Sequence, residues 1–280
     1  MMNPSGISRR QRFETRQRRR STLIATVSTI AAIALVVLLV PMIPGWERVR
    51  ASFLDGNTFR ETFPKLPGRF WYDIQIFLIC TPCILALGLL IAFARNVRSP
   101  ALYPLRLFAT LYTDIMRGVP MILWITIIGF GVPGLIQNRT WGKAVVWAGV
   151  ALVVAYSAYV AEVFRAGIES VHESQRAAAR SLGLSSRQTM LHIVLPQAVR
   201  RVVPALMNDM VSLQKDVALV SIVGPIEVLR QAGISKAKFY NFTPYIGAAI
   251  LFLCVSIPLT RLTDHLLARE RRRMQGTAVR

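Results

Sequence analysis

Acid groups and cysteines are scarce in this 280-residue chain, which holds 14 Asp and Glu, three Cys and three His. Three cysteines are too few for a disulfide framework. Cys80 and Cys83 form a C-x-x-C, but they lie in an apolar run with no second pair and no nearby His, so they read as packing residues. His172, His192 and His265 are scattered without metal spacing, so no metal site is assigned. The chain has no G-x-x-x-x-G-K-[ST] and therefore no phosphate-binding loop of its own. GFGVPG at Gly129–Gly134 matches G-x-G-x-x-G, but it closes an apolar run, and Val154 stands where the ribose-binding acid belongs. No nucleophile, base and orienting group fall together, so no residue is assigned as catalytic. Only 17% of residues are charged, which excludes disorder over most of the chain.

What is abundant is apolar surface and positive charge. Hydrophobic residues make up 53% of the chain, and 34 Lys and Arg give a net charge of +20. Such a charge on its own suggests nucleic acid. Here the basic residues flank apolar runs, as in loops facing anionic lipid, and a nucleic-acid partner is excluded. A membrane crossing needs roughly 20 apolar residues. By that measure the sequence predicts six spans, at about 21–45, 71–94, 103–131, 143–164, 200–223 and 244–266. The first follows seven arginines within residues 1–20 and is too long for a signal-peptide core, so it reads as an uncleaved span. The segments left on the N-terminal side hold twice the Lys and Arg of those opposite, which predicts cytoplasmic N and C termini. The expected fold is an all-α membrane protein.

The segment between the fourth and fifth spans is the most informative. Residues 169–182 predict a short helix, with Glu173 and Arg176 on one face and Ala177, Ala178 and Ala179 keeping part of it thin. Gly183 fits a left-handed helix cap, and Ser185 with Gln188 forms a capping-box pair that starts a second, apolar helix. Pro196 is expected to interrupt that second helix. The product is either a helix–turn–helix knuckle or an amphipathic loop on the lipid surface.

Charges inside spans cost about 2.5–3.5 kcal/mol each on insertion scales and usually face the protein interior. Asp114 and Arg117 share a helix face, with Gly118 and Pro120 directly after them. Pro120 removes a hydrogen bond to the Met116 carbonyl, which predicts a kink with a free carbonyl beside a guanidinium. A zwitterion would fit such a place, and so would a purely internal ion pair. Lys215 and Asp216 point about 100° apart and are expected to find partners on other helices, as is Asp209. Asp114, Arg117, Gly118, Pro120, Asp209, Lys215 and Asp216 are the candidates for a substrate path or gate. Tyr156, Tyr159 and Glu162 read as structural.

The spacing A-A-x-x-x-G-x(9)-I-x-L-P, at Ala178, Ala179, Gly183, Ile193, Leu195 and Pro196, resembles the EAA loop of ABC importer permeases. SLGLSSRQTMLHIVLPQAVRRVVPALMNDMVSLQKDVALVSIVG, YTDIMRGVP at Tyr112–Pro120 and PYIGAAILFL at Pro244–Leu253 resemble the polar amino acid (histidine, glutamine and glutamate) permeases. The resemblance covers about residues 70–270. It implies an ABC type-1 transmembrane domain at 71–267, between basic cytoplasmic tails at 1–20 and 268–280, with an added span and external loop at 21–70. It also implies ATPase coupling through Glu173, Ala177, Ala178, Ala179, Gly183, Arg187, Ile193, Leu195 and Pro196. The implied partners are an ATP-binding subunit that carries the ATP, an extracytoplasmic substrate-binding protein and a second permease chain; no cofactor is bound by this chain itself. Ala177 departs from the family pattern, which has Glu there: Glu173 one turn earlier substitutes for it, or the partner surface is adapted to Ala. A stand-alone secondary transporter or channel is the alternative from another class, and it leaves the 178–196 spacing unexplained.

Overall fold

The computed structural model describes residues 9–97, 99–136 and 142–277, together with side-chain detail from residue 20 to 268. The chain forms two compact units, Met1–Asp55 and Gly56–Arg280. All regular structure among the described residues is helical.

The first unit contains α1 (Arg9–Leu39) and α2 (Trp46–Phe53). Helix α1 starts within the segment expected to be a tail, since nothing from Arg9 onward breaks it. Residues 1–8 of that tail lie outside the described residues. The apolar stretch of α1 is exposed throughout, with Leu23, Ile30 and Leu38 each at least 60% accessible. Such a surface suits hydrocarbon and not water.

The second unit contains α3 (Gly56–Thr62), α4 (Leu66–Asn96), α5 (Tyr103–Gly118), α6 (Met121–Leu135) and α7 (Ala144–Glu169). It continues with α8 (Glu173–Ser181), α9 (Ser186–Thr189), α10 (Leu195–Asp216), α11 (Val228–Phe239) and α12 (Thr243–Thr277). Four helical stretches are long and apolar enough to cross a membrane, and two bent pairs raise the count to as many as six. The described residues thus carry four to six candidate spans against the six expected, and two of the six differ in form. The third is broken at Val119–Pro120, where α5 and α6 meet at 105°. The fifth runs on from α10 through a tight helical segment, Val217–Val223, and bends by 55° into α11, a helix not foreseen in the sequence. Helix α12 also continues past residue 266 to Thr277, taking in most of the segment expected to be a C-terminal tail; residues 278–280 lie outside the described residues.

Helix α7 is the centre of the bundle. It packs against α4, α5, α6 and α10, and Ala148, Ala151, Leu152, Tyr156 and Val160 join Ile84, Ile125 and Leu213 in one core. Its small residues are what allow four neighbours to approach. The α4–α7 crossing is the tightest described for α4: a Cβ on Gly88 would lie 2.6 Å from Val160 Cγ1 and 3.1 Å from the Ser157 carbonyl oxygen. Gly88→Ala is therefore expected to destabilise the bundle by about 1–3 kcal/mol through overpacking. Thermal unfolding in detergent followed by tryptophan fluorescence checks this, and an unchanged midpoint would count against the tight crossing.

Candidate functional site: the helical knuckle and the polar groups within the bundle

The knuckle is built from local signals. Helix α7 ends at Glu169, and a short reversal at Ser170–His172 leads into α8. His172 caps α8, its Nδ1 accepting from the Ser174 amide at 3.2 Å. The other end is closed by a Schellman pair: the Leu184 amide donates to the Ala179 carbonyl at 3.1 Å, and the Gly183 amide to Arg180 at 2.9 Å. That geometry requires the left-handed backbone seen at Gly183, with φ of 81°. Ser185 and Gln188 form the reciprocal capping box, at 3.3 Å and 2.9 Å.

The second helix does not stop at Pro196. A π-helical turn, Met190–Val194, widens the backbone, and Pro196 falls in the first turn of α10, where its missing N–H costs least. The knuckle thus passes without interruption into the bundle helix that carries Asp209, Lys215 and Asp216. Its base is tied to α7 as well. Arg176 Nη2 donates to the Ile168 carbonyl at 2.7 Å, and Arg201 donates to the Ser170 carbonyl. Ile168, Val171, Val194 and Ala198 form a small apolar core beneath it. Ala177, Ala178 and Leu182 face outward, Leu182 being 82% exposed. Ala179 is buried, Arg187 is exposed, and Ile193 and Leu195 are half-buried.

The polar groups within the bundle are placed differently from the expectation. No ion pair joins Asp114 to Arg117 among the described residues. Asp114 is exposed, and Arg117 turns to α7, 3.6 Å from Glu162 Oε2 and with its guanidinium 5.8 Å from the Tyr159 ring centre. The Met116 carbonyl is not free: the Trp124 indole donates to it at 3.2 Å. The chain breaks sharply at Pro120, and Trp124, one turn into α6, supplies the donor that Pro120 lacks. Asp216 does find a partner on another helix, accepting from the Tyr156 hydroxyl at 2.5 Å. Lys215 is exposed, and Asp209 is half-buried with an Oδ2 that has no hydrogen-bond partner. Gly118 and Pro120 lie exposed at the break.

Glu162 is more than a local structural group. It accepts from Arg95 of α4 at 2.7 Å and from Arg165, while Arg165 also reaches Glu169 at 2.5 Å. One carboxylate therefore gathers arginines from α4, α5 and α7. The sequence also gave no signal for Asp73 or Glu227. Asp73 is 1% exposed and accepts from the Val228 amide at 3.4 Å; Glu227 is fully buried and caps α11 through Leu229 and Arg230, at 2.7 Å and 2.6 Å. Gln214 of α10 is likewise buried and accepts from Ser256 of α12 at 2.8 Å. A concavity of about 840 Å³ opens between α4 and α7, but Ile76, Ile79, Val146 and Val150 give it apolar walls with no charged group.

A bundle of membrane-length helices, interrupted by a capped helical knuckle that runs straight into a charge-bearing helix, defines a membrane permease subunit. The chain belongs to the family of binding-protein-dependent transport system inner membrane components, whose pattern matches residues 84–272. It is 32% identical over 210 residues to the probable glutamine ABC transporter permease protein GlnM of Bacillus subtilis (strain 168), spanning 75% of this chain and 94% of that protein. It is 30% identical over 209 residues to the arginine transport system permease protein ArtQ of the same organism, spanning 72% and 92%. Among solved structures, one described as an amino acid ABC transporter with histidines superposes with a TM-score of 0.65 at 30% identity, covering 79% of this chain and 98% of that one. The MetNI methionine ABC transporter, inward facing, shares the fold at 18% identity, with a TM-score of 0.56 and coverage of 75% and 95%.

Proposed function

We propose that this chain is the membrane-spanning permease subunit of an ATP-driven ABC importer that moves polar amino acids of the glutamate, glutamine, arginine and histidine kind into the cytoplasm. The observation that carries the reading is the knuckle at 172–196, doubly capped, outward-facing at Ala177, Ala178 and Leu182, and continuous with α10. In this reading a separate ATP-binding subunit docks on the knuckle through Glu173, Ala177, Ala178, Gly183 and Arg187. Ala179, Ile193, Leu195 and Pro196 hold the knuckle's shape. An extracytoplasmic binding protein delivers the cargo, and a second permease chain, identical or related, completes the path. Both termini lie in the cytoplasm of a bacterial cell, and the chain crosses the cytoplasmic membrane several times.

ATP-driven closure of the partner subunits displaces the knuckles, and the bundle shifts between inward-open and outward-open populations in proportion to how differently the partner binds the two. The polar groups of α5 and α10 line the route. Arg117 offers a half-exposed guanidinium to a cargo carboxylate, and the free Oδ2 of Asp209 offers an acceptor to an ammonium group. The cargo class is supported by the names of the glutamine and arginine relatives.

The test is purification of the tagged chain from its host in mild detergent, followed by reconstitution. An ATPase with a phosphate-binding loop is expected to accompany it, and vesicles holding the complex and its binding protein are expected to take up L-glutamine or L-arginine only with ATP. A folded chain that comes down alone and transports without ATP would overturn the reading in favour of a stand-alone transporter.

A further inference from the structure

Inside the knuckle lies a recess of about 300 Å³ that shares Glu173 with the docking face but whose buried polar atoms the coupling role does not use. It opens between α8, the start of the second knuckle helix and the end of α4. Two of its polar atoms are buried without a hydrogen-bond partner: the Thr189 hydroxyl and Arg176 Nε. Thr189 itself is only 5% exposed. A buried hydroxyl and a buried guanidinium N–H lining one recess without hydrogen-bond partners are costly unless something in that recess meets them. Both are donors, and Arg180 and Ser186 on the rim add more.

The same recess holds acceptors. Asn96 spends one of its two amide N–H groups on the Ala92 carbonyl at 3.0 Å and keeps its Oδ1 as an acceptor. Glu173 adds a carboxylate that is held only loosely, 3.4 Å from Arg180 and 3.8 Å from Arg176. Met190 and Val194 add apolar wall to the recess. A doubly charged phosphate would meet Glu173 as a like charge and would leave Asn96 Oδ1 without a donor. A carboxylate joined to an ammonium by one carbon satisfies both sets, and the volume suits a molecule of that size.

We propose that this recess binds a free α-amino acid, with the carboxylate on Arg176 and Thr189 and the ammonium toward Glu173 and Asn96. The occupant is a small solute and not an acidic side chain of the ATP-binding subunit, because the two donors without a hydrogen-bond partner are themselves buried, Thr189 being 5% exposed. Ala178 and Leu182 of the outward face point away from the stripe of α8 formed by residues 173, 176 and 180, and Ala177 borders that stripe beside Glu173. A bound amino acid ties α8 to the second knuckle helix, so the occupant reports its own concentration to the element that couples to ATP. The statements that this concentration is the cytoplasmic one and that the knuckle couples to ATP rest on the function proposed above; the binding itself does not.

The experiment uses the full chain in detergent, without partners, so its outcome is independent of the transport reading. Cys83→Ser and Cys254→Ser remove the exposed thiols. Ser186→Cys then places a thiol at the rim, and Leu182→Cys, in a second protein, places one on the outward face. Modification by a bulky maleimide is timed with and without saturating L-glutamine, glycine or inorganic phosphate. L-Glutamine and glycine are expected to slow labelling of Ser186→Cys by about threefold or more, as simple occupancy requires, and to leave Leu182→Cys unchanged. Adding Thr189→Val, which removes the unpaired hydroxyl while leaving the fold intact, is expected to abolish the protection. Unprotected Ser186→Cys in every condition would overturn the proposal. So would protection by phosphate alone, equal protection at Leu182→Cys, or protection only when the ATP-binding subunit is added.

Discussion

Gly183→Val is expected to lower ATP-driven uptake by about 5–30-fold while the protein still inserts and its partners still hydrolyse ATP. The magnitude follows from one backbone angle. Gly183 sits at φ of 81°, and a non-glycine residue there costs about 1–2 kcal/mol, which lowers the ratio of correctly closed to misclosed knuckles by the stated factor and sets the upper limit of the loss in uptake. A β-branched side chain lies at the upper end of that range. The damage is confined to the turn, because a Cβ at Gly183 meets no atom within 4 Å and the apolar core of the knuckle is elsewhere. What is lost is the pair of hydrogen bonds from Gly183 and Leu184 that fixes the angle between α8 and the helix leading into α10. Gly183→Asn is the control, since Asn tolerates the left-handed region, and it is expected to retain most uptake. Uptake and ATP hydrolysis measured together in reconstituted vesicles decide the matter. Equal, coupled rates in the Val variant would show that the knuckle's shape does not transmit the stroke.

The features that the sequence made legible are those whose causes lie within a few residues. The long apolar runs marked the spans of α1, α4, α7 and α12. Gly183 and the Ser185–Gln188 pair marked the turn and the second helix start, because both motifs close over four or five residues. The departures begin where partners are distant. Pro120 announced a disturbance, but not its size, a 105° break, nor that the Trp124 indole would cap the Met116 carbonyl, because nothing in the local pattern singles out that tryptophan. Pro196 read as a stop because proline ends a regular α-helix; the π-helical turn that absorbs it has no sequence signal of its own. Asp73 accepts from the amide of Val228, 155 residues along the chain and directly after Glu227, so neither carboxylate stood out in the sequence.

Within the candidate path the same distinction holds. Asp114 and Arg117 stand three residues apart, which places them on one helix face, and that spacing suggested a pair. The structure gives Arg117 a competing carboxylate on another helix, and the guanidinium lies toward it. Asp216, which has Lys215 as its sequence neighbour, is served instead by Tyr156 from α7. Sequence spacing fixes the face on which a charge emerges, but the packing partner of that face decides what the charge meets.

Glu162→Gln is expected to destabilise the bundle by about 1.5–3 kcal/mol, the range for hydrogen bonds to charged groups, and to slow transport with it. Glutamine keeps the shape and one acceptor oxygen, so the change isolates the charge. Arg95 is then the cation left worst off: its side chain is 13% exposed and its described acceptor is Glu162. Arg165 loses less, because Glu169 still accepts from it at 2.5 Å. Arg117 loses least, at 3.6 Å and 41% exposed, where solvent already screens the pair. The ordering can be read from double-mutant cycles followed by thermal unfolding in detergent. Arg95→Met combined with Glu162→Gln should recover part of the loss, since a lone buried charge costs more than a missing pair. Arg117→Met combined with Glu162→Gln should recover little. If both doubles are simply additive, Arg95 and Arg117 do not share this carboxylate, and these ends of α4, α5 and α7 are joined across helices by packing alone. If only the Arg95 cycle shows coupling, α5 is free to move at its break while α4 and α7 travel together. That is the mechanical asymmetry expected of a helix pair bent by 105° beside a rigid pair.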